Sequence, residues 1–411
     1  MRPRRARLLI GILALLHGCA SPGGRGAPER SPGETVPSGV PVAVSPPDRD
    51  YYVFAASEGV DRIALIRFGP SGIHIERERT TGFMPSDIDG PHGVAMSPDG
   101  RFYYVTTAHG TPFGYLWKYA TANDSLAGRV MLGNFPATAH VSPDGAFVYV
   151  VNFNLHGEMV PSSMSIVSAD EMVEIARVAT CTMPHGSRIN PQGTRQYSGC
   201  MMDDMAVEID TRTFAVSRHF MLTAGQERGM PGAPAQHRRP AAADKGAGHE
   251  MAGHGMEAPP PGNVSCSPTW AQPSASGDHI FIACNKSSDI VEIDAARWTM
   301  TRRIPAGPGV YNLAVTHDGR QLIGTNKRDK SVSIIDIASG KETARIPTSR
   351  RVASGVAVSG DDRYAFVTDE GVGSEPGAVD VIDLRALRKV ATIDVGQQVG
   401  GIDFWKATAP R

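Results

Sequence analysis

Short apolar runs rich in β-branched and aromatic residues recur along most of the chain, each bounded by Gly, Pro, Asp and Asn clusters. Such runs suit pleated, half-buried strands, and the clusters between them suit tight turns. Ser-Pro-Asp-Gly stands at Ser97–Gly100 and Ser142–Gly145, each time before a strand, Arg101–Thr107 and Ala146–Asn152. Degenerate copies stand at Asn190–Gly193, Ser274–Gly277, Thr316–Gly319 and Ser359–Asp362. The copies end 45, 48, 84, 42 and 43 residues apart, at 100, 145, 193, 277, 319 and 362. A repeat of this length made of strands and turns predicts propeller blades.

Each repeat predicts four strands. One leads into the Ser-Pro-Asp-Gly turn and a second leaves it. A third ends near an Asp, as in Val207–Asp210, Val291–Asp294, Ser333–Asp336 and Asp380–Asp383. A fourth follows, as in Glu342–Ile346 or Lys389–Ile393. Six blades carry their own turn. The seventh is split, with Tyr51–Ser57, Val60–Phe68 and Ile73–Thr80 at the start of the chain and Gly400–Trp405 at its end. Joining them closes the ring and removes exposed sheet edges. The expected fold is all-β, a seven-bladed β-propeller of four-stranded blades closed by N- and C-terminal strands, over residues 49–407.

Tyr149-Val150-Val151-Asn152 after the turn at Ser142–Gly145, and Lys341-Glu342 after Asp336–Gly340, resemble the YVTN-repeat β-propeller family. That family is an exported relative of the cytochrome d1-like propellers. The resemblance spans roughly residues 50–405 and implies a scaffold; it does not imply one activity.

The start of the chain changes the picture of where the protein works. Four arginines within Met1–Arg7, an apolar run Leu8–Leu16 and then Leu16-His17-Gly18-Cys19 read as a lipoprotein-type signal peptide over 1–19. Cys19 is the expected lipidation site. Ala20, in place of an Asp after the Cys, favours the outer membrane, on the periplasmic side of a bacterial envelope. Residues 20–48 are rich in Gly, Pro and Ser and predict a disordered tether. The formal net charge of −1 gives no field for nucleic acid. The expected partners are the membrane, through the lipid, and a periplasmic protein; the propeller itself is expected to be a monomer.

Aligned on the turns, His92, Ala137, His185, Thr269, Tyr311, Ser354 and Gly400 start the seven inner strands. The loops after the second strands begin near Thr107, Asn152, Cys200, Cys284, Asn326, Asp369 and Ser57. Both sets belong to one face, the upper face, which therefore gathers His92, His109, His156 and His185, with His140 three residues deeper. An insertion over 224–262, between the fourth and fifth blades, adds His249, Met251, His254 and Met256 to that face. Imidazole with thioether suits copper, especially Cu(I). His92, His140, His185 and the four insertion residues are the candidate ligands.

Cys181 and Cys200 are 19 apart, and Cys266 and Cys284 are 18 apart, at matching blade positions. Outside the cytosol they predict two disulfides, with thiolate ligation of the same metal as the alternative. No Cys-x-x-Cys-His haem attachment, nucleophile elbow or phosphate loop is present. Asp203-Asp204 and Asp361-Asp362, read as strand neighbours, would point to opposite faces and make no acid/base dyad. These features favour a tethered propeller for metal handling, sensing or scaffolding over catalysis. A redox enzyme of the d1-type or copper-cluster class, and an interaction platform, remain the alternatives.

Overall fold

The computed structural model describes residues 45–84, 87–109, 113–234 and 265–411. The predicted signal peptide with Cys19, most of the tether, and His249, Met251, His254 and Met256 lie outside these residues. The last tether residues, 45–48, lie against the propeller, where Arg363 Nη2 donates to the Ser45 carbonyl at 2.6 Å.

Seven antiparallel sheets form the predicted ring. We number the split blade first, so blade 1 holds 50–80 and 399–408. Blades 2 to 7 then span 91–131, 136–182, 184–231, 268–305, 310–347 and 352–395. Blade 1 closes as expected: Val399–Thr408 is its innermost strand and pairs with Asp50–Ser57, for example Val53 with Phe404. Trp405 Nε1 then donates to the Gly100 carbonyl of blade 2 at 2.8 Å.

The repeated turn has a simple physical basis. Ser97 Oγ donates to Asp99 at 2.6 Å and accepts the Phe102 N–H at 2.9 Å, while Gly100 takes φ 68°. Ser142, Thr316 and Ser359 make the same bond to the acid two residues on. Blades meet through apolar faces. Tyr364 of blade 7 stands edge-on between Tyr51 and Phe68 of blade 1, at 5.0 and 5.1 Å.

Threonines stitch the inner strands together. Thr106, Thr325 and Thr368 each accept an inner-strand N–H of their own blade and donate to the next blade, to Ala137, Ser354 and Gly400 carbonyls at 2.7–2.8 Å. The close approach excludes a Cβ at Gly93, where one would lie 2.4 Å from the Ala137 carbonyl.

Three expectations change in detail. The insertion does not begin as a loop, because Arg228–Pro231 adds a fifth strand to blade 4 beside Arg218–Met221. Asp203 and Asp204 sit in a turn, not on a strand, and both accept backbone N–H groups, from Thr182 and Ser267. Asp361 and Asp362 also sit in a turn, where Asp361 accepts the Tyr51 hydroxyl and Asp362 holds His317. Both disulfides form, with Cα separations of 5.9 Å for Cys181–Cys200 and 4.4 Å for Cys266–Cys284. Thiolate ligation by these cysteines is thereby excluded.

Candidate functional site

The inner strands and crossovers of the upper face surround a cavity of about 200 Å³ at the mouth of the central channel. Its walls include Glu58, His92, His109, His156, Arg188, Trp270, Tyr311, Asn312, Lys327 and Glu370.

Glu58 organises one side. It opens the short 3₁₀ segment Glu58–Val60, just after the second strand of blade 1, and its N–H donates to the Gln398 carbonyl at 3.1 Å. Its two carboxylate oxygens receive two imidazoles, His92 Nδ1 at 2.8 Å and His109 Nε2 at 2.5 Å. Burial acts to raise the Glu58 carboxyl, but the two imidazoles outweigh it and hold it well below the usual carboxylate range. The hydrogen bond to Glu58 raises His109 against the opposing effect of burial.

His92, His109 and His156 stand around Phe135, at ring-centroid distances of 5.4, 5.5 and 5.4 Å. Phe135 is buried and holds φ 52°, a left-handed conformation that a bulky residue rarely adopts. It sits in the crossover directly before the blade 3 inner strand. Gly90, with φ 61°, occupies the matching place before His92, and a Cβ there would meet the His109 ring at 1.9 Å.

His185 belongs to a different network. Its Nδ1 lies 3.0 Å from the Thr269 carbonyl and must carry the proton; its Nε2 accepts the Tyr311 hydroxyl at 2.9 Å. Burial, then the neighbouring His92, pushes it down to about 3, so it is neutral. Beyond Tyr311, Lys327 pairs with Glu370 at 3.0 Å. Burial works against the Lys327 charge, but Glu370 outweighs it and holds the ammonium above its usual range. His140 lies deeper, with Nδ1 accepting the Ile189 N–H at 3.2 Å, and burial takes it down to about 3 as well.

The three inner-strand histidines named from the sequence therefore do not form one ligand set. His92 faces Glu58, His185 has both ring nitrogens engaged, and His140 is tied to the next inner strand. Among the described residues, no group of three or more His, Cys, Asp or Glu is placed to hold a metal ion. Sequence reasoning missed Glu58, Arg188, Trp270, Lys327 and Glu370. Glu58 had a signal, since it directly follows Ser57, the residue matched to the loop starts of the other blades.

No family model matches the chain, and no curated protein matches it in sequence. Solved structures do share its fold. A functionally unknown protein from Desulfotomaculum acetoxidans DSM 771 is 12% identical, with TM-score 0.62, covering 87% of this chain and 99% of its own. The hydrazine synthase of Kuenenia stuttgartiensis is 18% identical, with TM-score 0.54, over 74% of this chain and 80% of its own. Dihydro-heme d1 dehydrogenase NirN in complex with DHE is 15% identical, with TM-score 0.53, over 90% and 77%. What they share with this chain is the fold, the seven-bladed β-propeller that the repeats predicted. At these identities the likeness reaches the scaffold only.

Proposed function

We propose that the protein is an exported, ligand-binding propeller that handles copper at the mouth of its channel. The observation that supports this reading is Glu58, one carboxylate bracing two imidazoles at the cavity wall. Metal-binding histidines commonly give their other ring N–H to a carboxylate, which fixes the ring and makes the ligand more basic. His92 and His109 would be the rigid donors, and His249, Met251, His254 and Met256 are proposed as the added soft donors. Export, with Cys19 lipidated, belongs to the same proposal; the two disulfides fit an oxidising, extracytoplasmic compartment. No helix among the described residues is long and apolar enough to cross a membrane.

The cavity suits an ion or small molecule better than a tetrapyrrole. The cavity of about 200 Å³ falls below the roughly 300–1,000 Å³ of sites for drug-sized ligands. The role we propose is binding, delivery or sensing of the metal.

The test is a titration of the metal-free protein with Cu(I), against a competing chromophoric chelator. Wild type should bind more tightly than about 1 μM, and His92→Ala/His109→Ala should bind at least about a hundredfold more weakly. Equal binding by the two proteins, or none tighter than micromolar, overturns the copper reading.

A further inference from the structure

We propose that the upper rim of blade 2 is a self-association surface, through which the propeller pairs with a second copy of this chain. The pairing goes beyond copper handling, uses other residues, and replaces the monomer expected from the sequence.

The crossover from blade 1 to blade 2 is long. It takes residues 81–90, whereas 132–135, 306–309 and 348–351 suffice for the entries to blades 3, 6 and 7. The added length does not go into the core. Phe83, Met84 and Ile88 stand 47%, 56% and 60% exposed. Phe83 leans on the outer half of blade 2, its ring centroid 4.8 Å from Tyr115 and 4.9 Å from Trp117. Met131, opposite Tyr115 on the outermost strand Leu126–Met131, is 51% exposed. Large apolar side chains gathered at a surface mark a place that a partner covers. Aromatic residues, Met and Arg are also the types enriched in protein interfaces.

Two charges point to the partner. Arg129, opposite Trp117 on the outermost strand, is exposed, with its guanidinium carbon 4.6 Å from the Phe83 centroid and 5.4 Å from that of Trp117. Stacking on the two rings directs the guanidinium, yet among the described residues it makes no ion pair. Asp87 lies in the crossover itself, exposed, with its N–H donating to the Met84 carbonyl at 3.2 Å. Its carboxylate makes no ion pair among the described residues either. The neighbouring acids are taken: Asp89 accepts the Phe83 N–H at 3.0 Å, Glu78 pairs with Arg62, and Asp124 with Arg77.

An apolar patch flanked by one unpaired cation and one unpaired anion is self-complementary. Two-fold pairing sets the Arg129 of each copy against the Asp87 of the other and covers Phe83, Met84, Ile88 and Met131 of both. An anionic lipid surface would accept Arg129 but be opposed by Asp87.

The experiment is sedimentation velocity of the full chain from about 1 to about 300 μM, in excess metal chelator so that copper cannot bridge copies. A monomer–dimer equilibrium is expected, with Kd on the order of micromolar for a small interface. Arg129→Glu alone and Asp87→Arg alone each set like charges together twice across the two-fold axis, and should weaken pairing at least about tenfold. An equimolar mixture of the two variants should pair to within about threefold of wild type, because the mixed dimer regains both opposite-charge contacts. Ile88→Glu changes a side chain outside the core, so it tests the patch even if a charge variant fails to fold; it should also weaken pairing about tenfold. A wild type that stays monomeric throughout overturns the inference. So does a mixture that pairs no better than its components, or an Ile88→Glu chain that pairs like wild type. Monomeric wild type that floats with phosphatidylethanolamine–phosphatidylglycerol vesicles more than Ile88→Glu does would assign the patch to a lipid surface and overturn it too.

Discussion

Blades 3 and 7 answer the same structural need with opposite chemistry. At the end of its second strand, blade 3 carries Asn152, the last residue of its Tyr-Val-Val-Asn repeat. Asn152 Nδ2 donates to Ser163 and Ser165 at 3.0 and 2.8 Å, and Oδ1 accepts the Gly133 N–H of the incoming crossover at 3.1 Å. Blade 7 has Asp369 at that place and Asp380 where blade 3 has Ser165. Both carboxyls are fully buried, and both receive the Ser349 N–H of the incoming crossover, at 3.2 and 2.7 Å. Lys389 and the Ser349 and Thr392 hydroxyls surround Asp380. Burial, then Asp380, pushes Asp369 up to about 9, so one proton does the work of the Asn amide. Blades 4 and 5 use a third solution: Cys200 and Cys284 occupy the position and bond covalently to Cys181, near the end of the last strand of blade 3, and to Cys266, in the crossover into blade 5. The position is a latch between each blade and the loop that enters it, and its residue sets the latch's sensitivity: to redox state in blades 4 and 5, to pH in blade 7, and to neither in blade 3.

The largest effect should come from opening a covalent latch. Each disulfide closes a loop of about twenty residues, so Cys266→Ser/Cys284→Ser should lose on the order of 3 kcal/mol in denaturant unfolding. A loss below about 1 kcal/mol would mean that the other latches already hold the crossover. Asn152→Ala, which strands the Ser163 and Ser165 hydroxyls and the Gly133 N–H, should lose about 2 kcal/mol in the same assay.

The blade 7 latch should respond in the other direction. In the folded chain Asp369 keeps its proton up to about pH 9, whereas an unfolded Asp releases it near 3.9. Between those values unfolding releases a proton, so this group's contribution to stability falls as pH rises from about 4 to about 9. Asp369→Asn keeps a donor for Asp380 without the proton, so it should stabilise the chain by about 1–2 kcal/mol at pH 8 and little at pH 4. Equal effects at the two pH values would show that Asp369 does not carry that proton. The smallest effect is expected from Thr325→Val, which breaks one inter-blade stitch and should lose about 1 kcal/mol.

Much of this architecture was legible in the sequence because repeats carry register. Aligning on the turns placed Asn152, Cys200, Cys284, Asn326 and Asp369 in one ring, and the cysteine pairing followed from their matched spacing. The same alignment put His92 and His185 at the start of inner strands, where they are found. It could not show which way the rings turn or what they meet. His185 is held between Thr269 and Tyr311, residues far from it along the chain, so its loss as a ligand was invisible. Glu58 directly follows Ser57, so the alignment placed it on this face, but nothing in the chain showed that its carboxylate meets two imidazoles. Arg188 is a lone cation in the sequence, and only the packing of blade 5 against blade 4 brings Trp270 beneath it. The fifth strand Arg228–Pro231 carries no strand-like apolar run and forms by pairing with Arg218–Met221.

X-ray absorption at the copper edge on Cu(I)-loaded protein tests the central claim most directly. The account predicts imidazole scattering from His92 and His109 in wild type, which His92→Ala/His109→Ala reduces while leaving sulfur scattering from the methionine donors and imidazole scattering from His249 and His254. Unchanged imidazole scattering in the double variant would contradict it and would place copper away from the Glu58-braced pair.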